Sequence, residues 1–158
     1  MNPRVGAAVF GLLVACDGEA PPPAAPRTAD ALHAWILDGR YASWEHESTV
    51  HDSAAGGGAR VYLSPALADS LTDDEPVHPV GAAAIRELYA PDLRTRLGWA
   101  ALVKIKASEA PDPAAWLWLE VLDPSRDADL LVAEPAAPGC IGCHADGADF
   151  VRSTLPLR

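Results

Sequence analysis

Positive charge is scarce in this 158-residue chain. Twelve Lys and Arg stand against 22 Asp and Glu, a formal net charge of -10, and the basic residues form no patch. That argues against a nucleic-acid binder and means an anionic membrane surface would repel the chain, so membrane contact needs another cause. The acidic runs Thr72-Asp73-Asp74-Glu75 and Arg126-Asp127-Ala128-Asp129 read as solvated turns. Cysteine is also scarce. One lies near the N-terminus and two lie together near the C-terminus, which rules out a regular disulfide framework. Lysine occurs only at Lys104 and Lys106, methionine only at Met1. There is no internal repeat.

What is present suits one domain. Hydrophobic residues make up 49% and charged residues 22%, a globular balance. Fifteen Pro and twelve Gly imply many turns and stiff connections rather than a simple helical bundle.

The N-terminus reads as an address. Arg4 precedes an uncharged apolar run, Val5 to Val14, which is too short to span a bilayer but fits the core of a secretory signal. Leu13-Val14-Ala15-Cys16 looks like a bacterial lipobox, with cleavage before Cys16 and lipidation of its thiol; two acyl chains give stable anchoring where one does not. Residues 1–15 are thus expected to be a lipoprotein-type signal peptide. Residues 16–29, with Pro21-Pro22-Pro23 and Pro26, are expected to be a polyproline tether that packs no core. The folded domain is expected over 30–158, exported to the periplasm or cell surface and membrane-anchored by lipid.

Within the domain, Leu32, Trp35, Ile36 and Trp44 fall at helical spacing, predicting a helix from Ala29 to Trp44 with Thr28 as N-cap. Ser53 to Ala59 reads as a glycine-rich loop. Arg60 to Leu63 reads as a short strand, and Pro65 to Leu71 as a brief helix. Gly81 to Tyr89 is ambiguous between helix and strand. Trp99 to Lys106 alternates, with Trp99, Ala101, Val103 and Ile105 on one side and Lys104 and Lys106 on a solvated other side. Ala115 to Leu122 puts Trp116 and Trp118 opposite Leu117, Leu119 and Val121. Pro111 and Pro113 fit a loop joining antiparallel neighbours. Leu130 to Val132 reads as a further short strand.

The chemistry is concentrated in Cys140-Ile141-Gly142-Cys143-His144. Cys-x-x-Cys-His is the attachment signature of c-type haem. Two thiols a helical turn apart reach the two vinyl groups on one porphyrin edge, and the next residue supplies an imidazole to the iron. Gly142 lets the backbone run close to the ring, Pro138-Gly139 turns into the segment, and Ala145 to Arg152 is expected to continue the helix. The alternatives are a zinc half-site without a second Cys pair, a thioredoxin-like redox pair without its βαβ setting, and a plain disulfide. Export favours haem, one covalent haem c per chain, with Cys140 and Cys143 as thioethers and His144 as axial ligand. The other ring nitrogen of His144 should donate to a carbonyl or carboxylate.

With Met1 in the cleaved segment, no methionine remains to bind the far side of the iron. His33, His46, His51 and His78 are the other candidates, each more readily explained as an ordinary loop or surface residue. The expected iron is therefore five-coordinate or water-bound, open to small ligands such as nitric oxide.

These residues resemble the cytochrome P-460 and cytochrome c′-beta family. The likeness rests on the C-terminal haem motif followed by Ala148-Asp149-Phe150-Val151, and on His51 preceding Arg60-Val61-Tyr62-Leu63-Ser64-Pro65-Ala66-Leu67. It rests also on the Pro79-x-Gly81 block ending Arg86-Glu87-Leu88-Tyr89, and on Trp116-Leu117-Trp118. Together they cover most of residues 44–152. The resemblance implies a mainly antiparallel β fold, often dimeric, with haem against the sheet and His144 proximal. The fold class expected is thus α+β, mainly antiparallel sheet, with an N-terminal helix and a short C-terminal haem-binding helix. The resemblance also implies one of two activities: hydroxylamine oxidation with a lysine cross-linked to the haem, or nitric oxide binding behind an apolar distal cap. This chain has Arg86 where the family block reads Lys, and Lys104 and Lys106 read as a solvated strand face, which favours gas binding or electron transfer with a redox partner over oxidation of hydroxylamine.

Overall fold

The computed structural model describes residues 20–54 and 56–158. The signal segment 1–15, the lipidation candidate Cys16 and the first residues of the tether lie outside the described residues. The fold is α+β. In chain order it runs α1 (Ala29–Leu37), β1 (Glu45–His46), β2 (His51–Asp52), β3 (Gly58–Leu63), α2 (Pro65–Thr72), β4 (Ala83–Tyr89), β5 (Arg96–Lys104), β6 (Trp116–Val121), β7 (Val132–Pro135) and α3 (Pro138–His144). A single turn of 3-10 helix at Pro113–Ala115 leads into β6.

The strands make one seven-stranded sheet in the order β1-β3-β4-β5-β6-β7, with β2 also pairing β3. Every pairing is antiparallel. From β3 to β7 each strand lies beside its sequence neighbour, as short connections favour. Among the described residues no helix is long and apolar enough to cross a membrane.

Several segments depart from the sequence expectation. α1 stops at Leu37 rather than Trp44. Gly39 takes a left-handed φ of +67° just past the helix end, and its N–H and that of Arg40 bond back to the carbonyls of Ile36 and Trp35, a glycine-terminated C-cap. Thr28 has the extended backbone of an N-cap but its side chain makes no cap bond. Trp44 is nonetheless buried, and its Nε1 donates to the Pro23 carbonyl at 3.1 Å. Ala25 is buried in the same cluster. The last part of the proline-rich segment therefore docks on the domain through the Pro23 carbonyl and the Ala25 side chain. Gly58 and Ala59, expected in a loop, belong to β3. The Ser53 N–H bonds to the Gly57 carbonyl and closes a hairpin.

Most of the segment 81–89, whose alanines favour helix, becomes the strand β4, which starts at Ala83. It pairs on both sides, with β3 and β5, so tertiary pairing overrides local propensity. α2 matches its expectation closely: Ser64 Oγ accepts from the Leu67 N–H and Pro65 occupies the first turn.

Alternation gives the sheet two faces. On one, Ile85, Trp99, Ala101, Val103, Leu117, Leu119 and Val121 pack with Leu32 and Ile36 of α1 and with Tyr41, Trp44 and Tyr62. On the other, Leu63, Leu102, Trp116 and Trp118 pack with Leu67 and Ala68 of α2, with Cys140 and Ile141 of α3, and with Phe150 and Val151. The second face carries the site.

Candidate haem-attachment site

α3 starts with Pro138 at its first turn and runs to His144, so Cys140, Cys143 and His144 lie on its last two turns. None of its residues is fully buried. Cys140 and Ile141 are half-buried against the second cluster, and Cys143 is exposed. The spacing of three puts both thiols on one side of the helix. At Gly142 an added Cβ would meet no protein atom within 4 Å, so the packing of the chain on itself does not demand glycine there.

The helix does not continue to Arg152. It ends at His144, and the chain folds into a tight turn. The Gly147 N–H bonds to the His144 carbonyl at 3.0 Å, and the Val151 N–H to the Ala148 carbonyl at 2.8 Å. A Cβ at Gly147 would stand 2.3 Å from the Val151 carbonyl oxygen, so only glycine fits this approach. Asp149 and Phe150 both take left-handed φ, 42° and 67°, conformations that cost a non-glycine residue about 1–2 kcal/mol each.

This turn decides the state of the histidine. His144 Nδ1 lies 2.8 Å from the Phe150 carbonyl oxygen. A protonated Nδ1 donates there, and in the neutral imidazole Nε2 is then the nitrogen that carries the lone pair. The Trp118 ring stands edge-on to the imidazole, centroids 5.0 Å apart. The expected carbonyl partner is thus the Phe150 main chain. Nothing local in the sequence marks it, because it depends on two left-handed residues that are not glycine.

Cys140 has the opposite electrostatics to a reactive CxxC thiol. Burial, followed by the nearby charges of Glu120, Cys143 and Glu134, pushes its thiol up, whereas redox-active pairs have depressed values. Among the described residues no group of three or more His, Cys, Asp or Glu is placed to hold a metal ion. Two thiols and an imidazole whose Nδ1 is engaged by a main-chain carbonyl, on one short helix, are a donor set that would fit haem c.

The sheet beside that helix is only half covered. In register across it run Val61, Arg86, Ala100, Glu120 and Val132, all of them half-buried. The row next to it, Leu63, Ala84, Leu102 and Trp118, is closed over apart from Ala84. The half-covered row borders Trp118 and hence His144. The buried indole nitrogens of Trp116 and Trp118 have no hydrogen-bond partner. Both tryptophans are buried in the core, and Trp118 also walls the histidine.

Three of the other histidines, His46, His51 and His78, are bonded elsewhere. His51 bonds through both ring nitrogens, to Glu47 Oε2 and the Asp52 carbonyl, each at 2.9 Å. His78 is buried and also uses both, Nδ1 with Ser70 Oγ at 2.8 Å and Nε2 with the Ala148 carbonyl at 3.2 Å. Burial lowers its pKa, against the opposing pull of Asp149 and Ala148, so it is a neutral imidazole. His46 bonds the Trp44 carbonyl and stacks on Tyr62. His33 lies on α1, under the opposite face.

Arg86 and Glu87 diverge. Arg86 stands in the half-covered row and donates to Ser53 Oγ. Glu87 faces the α1 side, where Tyr41, Tyr62, Tyr89 and Arg96 all donate to its carboxylate. Burial alone would raise Glu87; the donors and the Arg96 charge outweigh it and hold it below its ordinary value.

Lys104 corrects an expectation outright. It is 0% exposed, not on a solvated face. Its Nζ pairs with Asp149 Oδ2 at 2.5 Å and reaches Ser108 Oγ at 3.0 Å. The C-terminal segment covers this end of the face and brings in the counter-charge. Lys106 is exposed as expected, 3.4 Å from Asp112.

No protein-family model matches the chain, and no curated protein matches it.

Proposed function

We propose that this chain is an exported c-type haem protein whose iron is open on one side and binds nitric oxide-like small ligands. Cys140 and Cys143 hold the haem by thioether bonds, and His144 Nε2 is the axial ligand. The haem supplies an iron that binds diatomic ligands and passes single electrons. The family it would join is the cytochrome P-460 and cytochrome c′-beta group, and the lipobox at Cys16 would tether it to a membrane by lipid.

The observation that carries this reading is the hydrogen bond from His144 Nδ1 to the Phe150 carbonyl. It leaves Nε2 as a lone-pair donor at the end of the Cys-x-x-Cys helix, the orientation a haem ligand needs. An open sixth position is supported by the engagement of His46, His51 and His78 in other bonds and by the absence of methionine after Met1. Hydroxylamine oxidation with a lysine cross-link is the weaker reading: Lys104 Nζ is held by Asp149, and Lys106 stands at the surface beside Asp112.

The test is the absorption spectrum of the purified, reduced protein before and after nitric oxide. The proposal expects a high-spin ferrous spectrum that the gas converts. A six-coordinate low-spin spectrum that the gas leaves unchanged would contradict it.

A further inference from the structure

Lys104 and Asp149 form the one ion pair with both side chains at 0% exposure among those the described residues make. A buried pair of this kind is a poor source of stability, because desolvation offsets most of the attraction. Its location is informative instead. Asp149 is the first of the two left-handed residues in the turn after α3, and the second, Phe150, offers the carbonyl that His144 Nδ1 uses.

Two further contacts converge on the same turn, and the lysine has its own supports. The His78 main-chain N–H donates to Asp149 Oδ2 at 3.0 Å. His78 Nε2–H donates to the Ala148 carbonyl at 3.2 Å. Lys104 itself is fixed by Ser108 Oγ and lies 4.9 Å from the centre of the Trp116 ring. The other Asp149 oxygen, Oδ1, is buried without a partner, so the carboxylate is held through one oxygen by two donors from two different elements. A strained turn persists only when its surroundings over-determine it, and here the surroundings are Lys104 on β5 and His78 before β4.

We propose that the buried Lys104–Asp149 pair, with His78, is a positioning device that locks the Phe150 carbonyl onto His144 Nδ1 and thereby sets the donor strength of the axial imidazole. This rests on the reading that His144 ligates a haem iron. A firm Nδ1–H to carbonyl bond gives the imidazole more electron density, which strengthens the metal bond and favours the oxidised metal. Loosening the turn weakens that donation. Lys104 and Asp149 are 45 residues apart, so neither reveals this role in the sequence.

The experiment uses the holoprotein. Lys104→Met and Asp149→Asn are made singly and together; the double variant keeps an acceptor for the His78 N–H and leaves no buried charge alone, so it folds even where the singles do not. Ile85→Ala, on the opposite face, is the control for lost stability. Readouts are covalent haem content, the iron–histidine stretching band of the reduced protein by resonance Raman, and the midpoint potential. The expected result is full haem content in the double variant, with the stretching band moved to lower wavenumber and the potential raised, while Ile85→Ala moves neither. A double variant with the wild-type band and potential would overturn the positioning role and leave the pair merely structural. Absence of covalent haem in the wild-type protein would instead overturn the reading beneath it.

Discussion

The two faces of the sheet are finished by different means. Under α1, the row Tyr62, Ile85, Ala101 and Leu119 is between 0 and 6% exposed, and the chain's own helix, loops and proline-rich segment close it completely. On the opposite face, α2 and the C-terminal turn close one end over Leu63, Leu102, Lys104 and Trp116, while Val61, Arg86, Ala100, Glu120 and Val132 stay half-exposed beside the Cys-x-x-Cys-His helix. A domain of this size normally seals its sheet where it can. The contrast separates a face that the chain closes by itself from a face left partly open beside Cys140, Cys143 and His144, the face that the proposed reading gives to the ligand.

The largest expected effect falls on the half-covered face. Replacing both Cys140 and Cys143 by Ala should remove all covalently bound haem, read as the haemochrome remaining in the denatured chain after solvent extraction. The closed face needs no haem, so the sheet should persist by far-ultraviolet circular dichroism. Collapse of the sheet in this variant would erase the distinction between the faces.

The next comparison sets one residue from each face side by side. Ile85→Ala removes a fully buried side chain and should cost about 2–5 kcal/mol by denaturant unfolding. Ala100→Leu enlarges a half-exposed residue of the open row and should change stability by no more than about 1 kcal/mol, while lowering affinity for nitric oxide at unchanged haem content. Equal stability losses would mean that both faces are packed alike.

Smaller effects belong to the closed end of the half-covered face. Ser64 Oγ caps α2 through the Leu67 N–H and also accepts from the Ala83 N–H; Ser64→Ala should cost about 1–2 kcal/mol of unfolding free energy. Buried His78 has a lowered pKa, chiefly from desolvation, so the unfolded chain takes up its proton first. The stability tied to this group is complete above the unfolded value of about 6.5 and is lost as the pH falls toward the folded value. Unfolding free energies should therefore decline from about pH 7.5 to 5.5, and less steeply in His78→Gln.

Much of this was legible in the sequence, and the reasons differ by element. The alternation of residues 99–106 and 115–122 announced two central strands, observed as Arg96–Lys104 and Trp116–Val121, because a two-faced strand needs period-two patterning. The spacing of Cys140, Cys143 and His144 singled them out as a candidate site, and the structure carries all three on α3. The closing of residues 81–89 into a strand was not legible, since alanine prefers helix until neighbours on both sides pair with it. Lys104 was misread for a similar reason: its counter-charge, Asp149, is distant in sequence and arrives only when the C-terminal turn folds over the sheet. The Phe150 carbonyl was invisible because it is main chain, aimed by backbone angles rather than by residue type. The proline-rich segment hid its docking in one carbonyl, that of Pro23, and one small side chain, that of Ala25.

The central claim is that the half-covered face bears a covalent haem on α3, and mass spectrometry of a tryptic digest tests it most directly. Cleavage after Arg126 and Arg152 releases one peptide, residues 127–152, containing Cys140, Cys143 and His144. For protein made in a host that attaches haem to exported cytochromes, the account predicts that this peptide is heavier than its sequence by one haem and absorbs in the Soret region. A peptide of unmodified mass from that host, with both thiols open to alkylation, would contradict it.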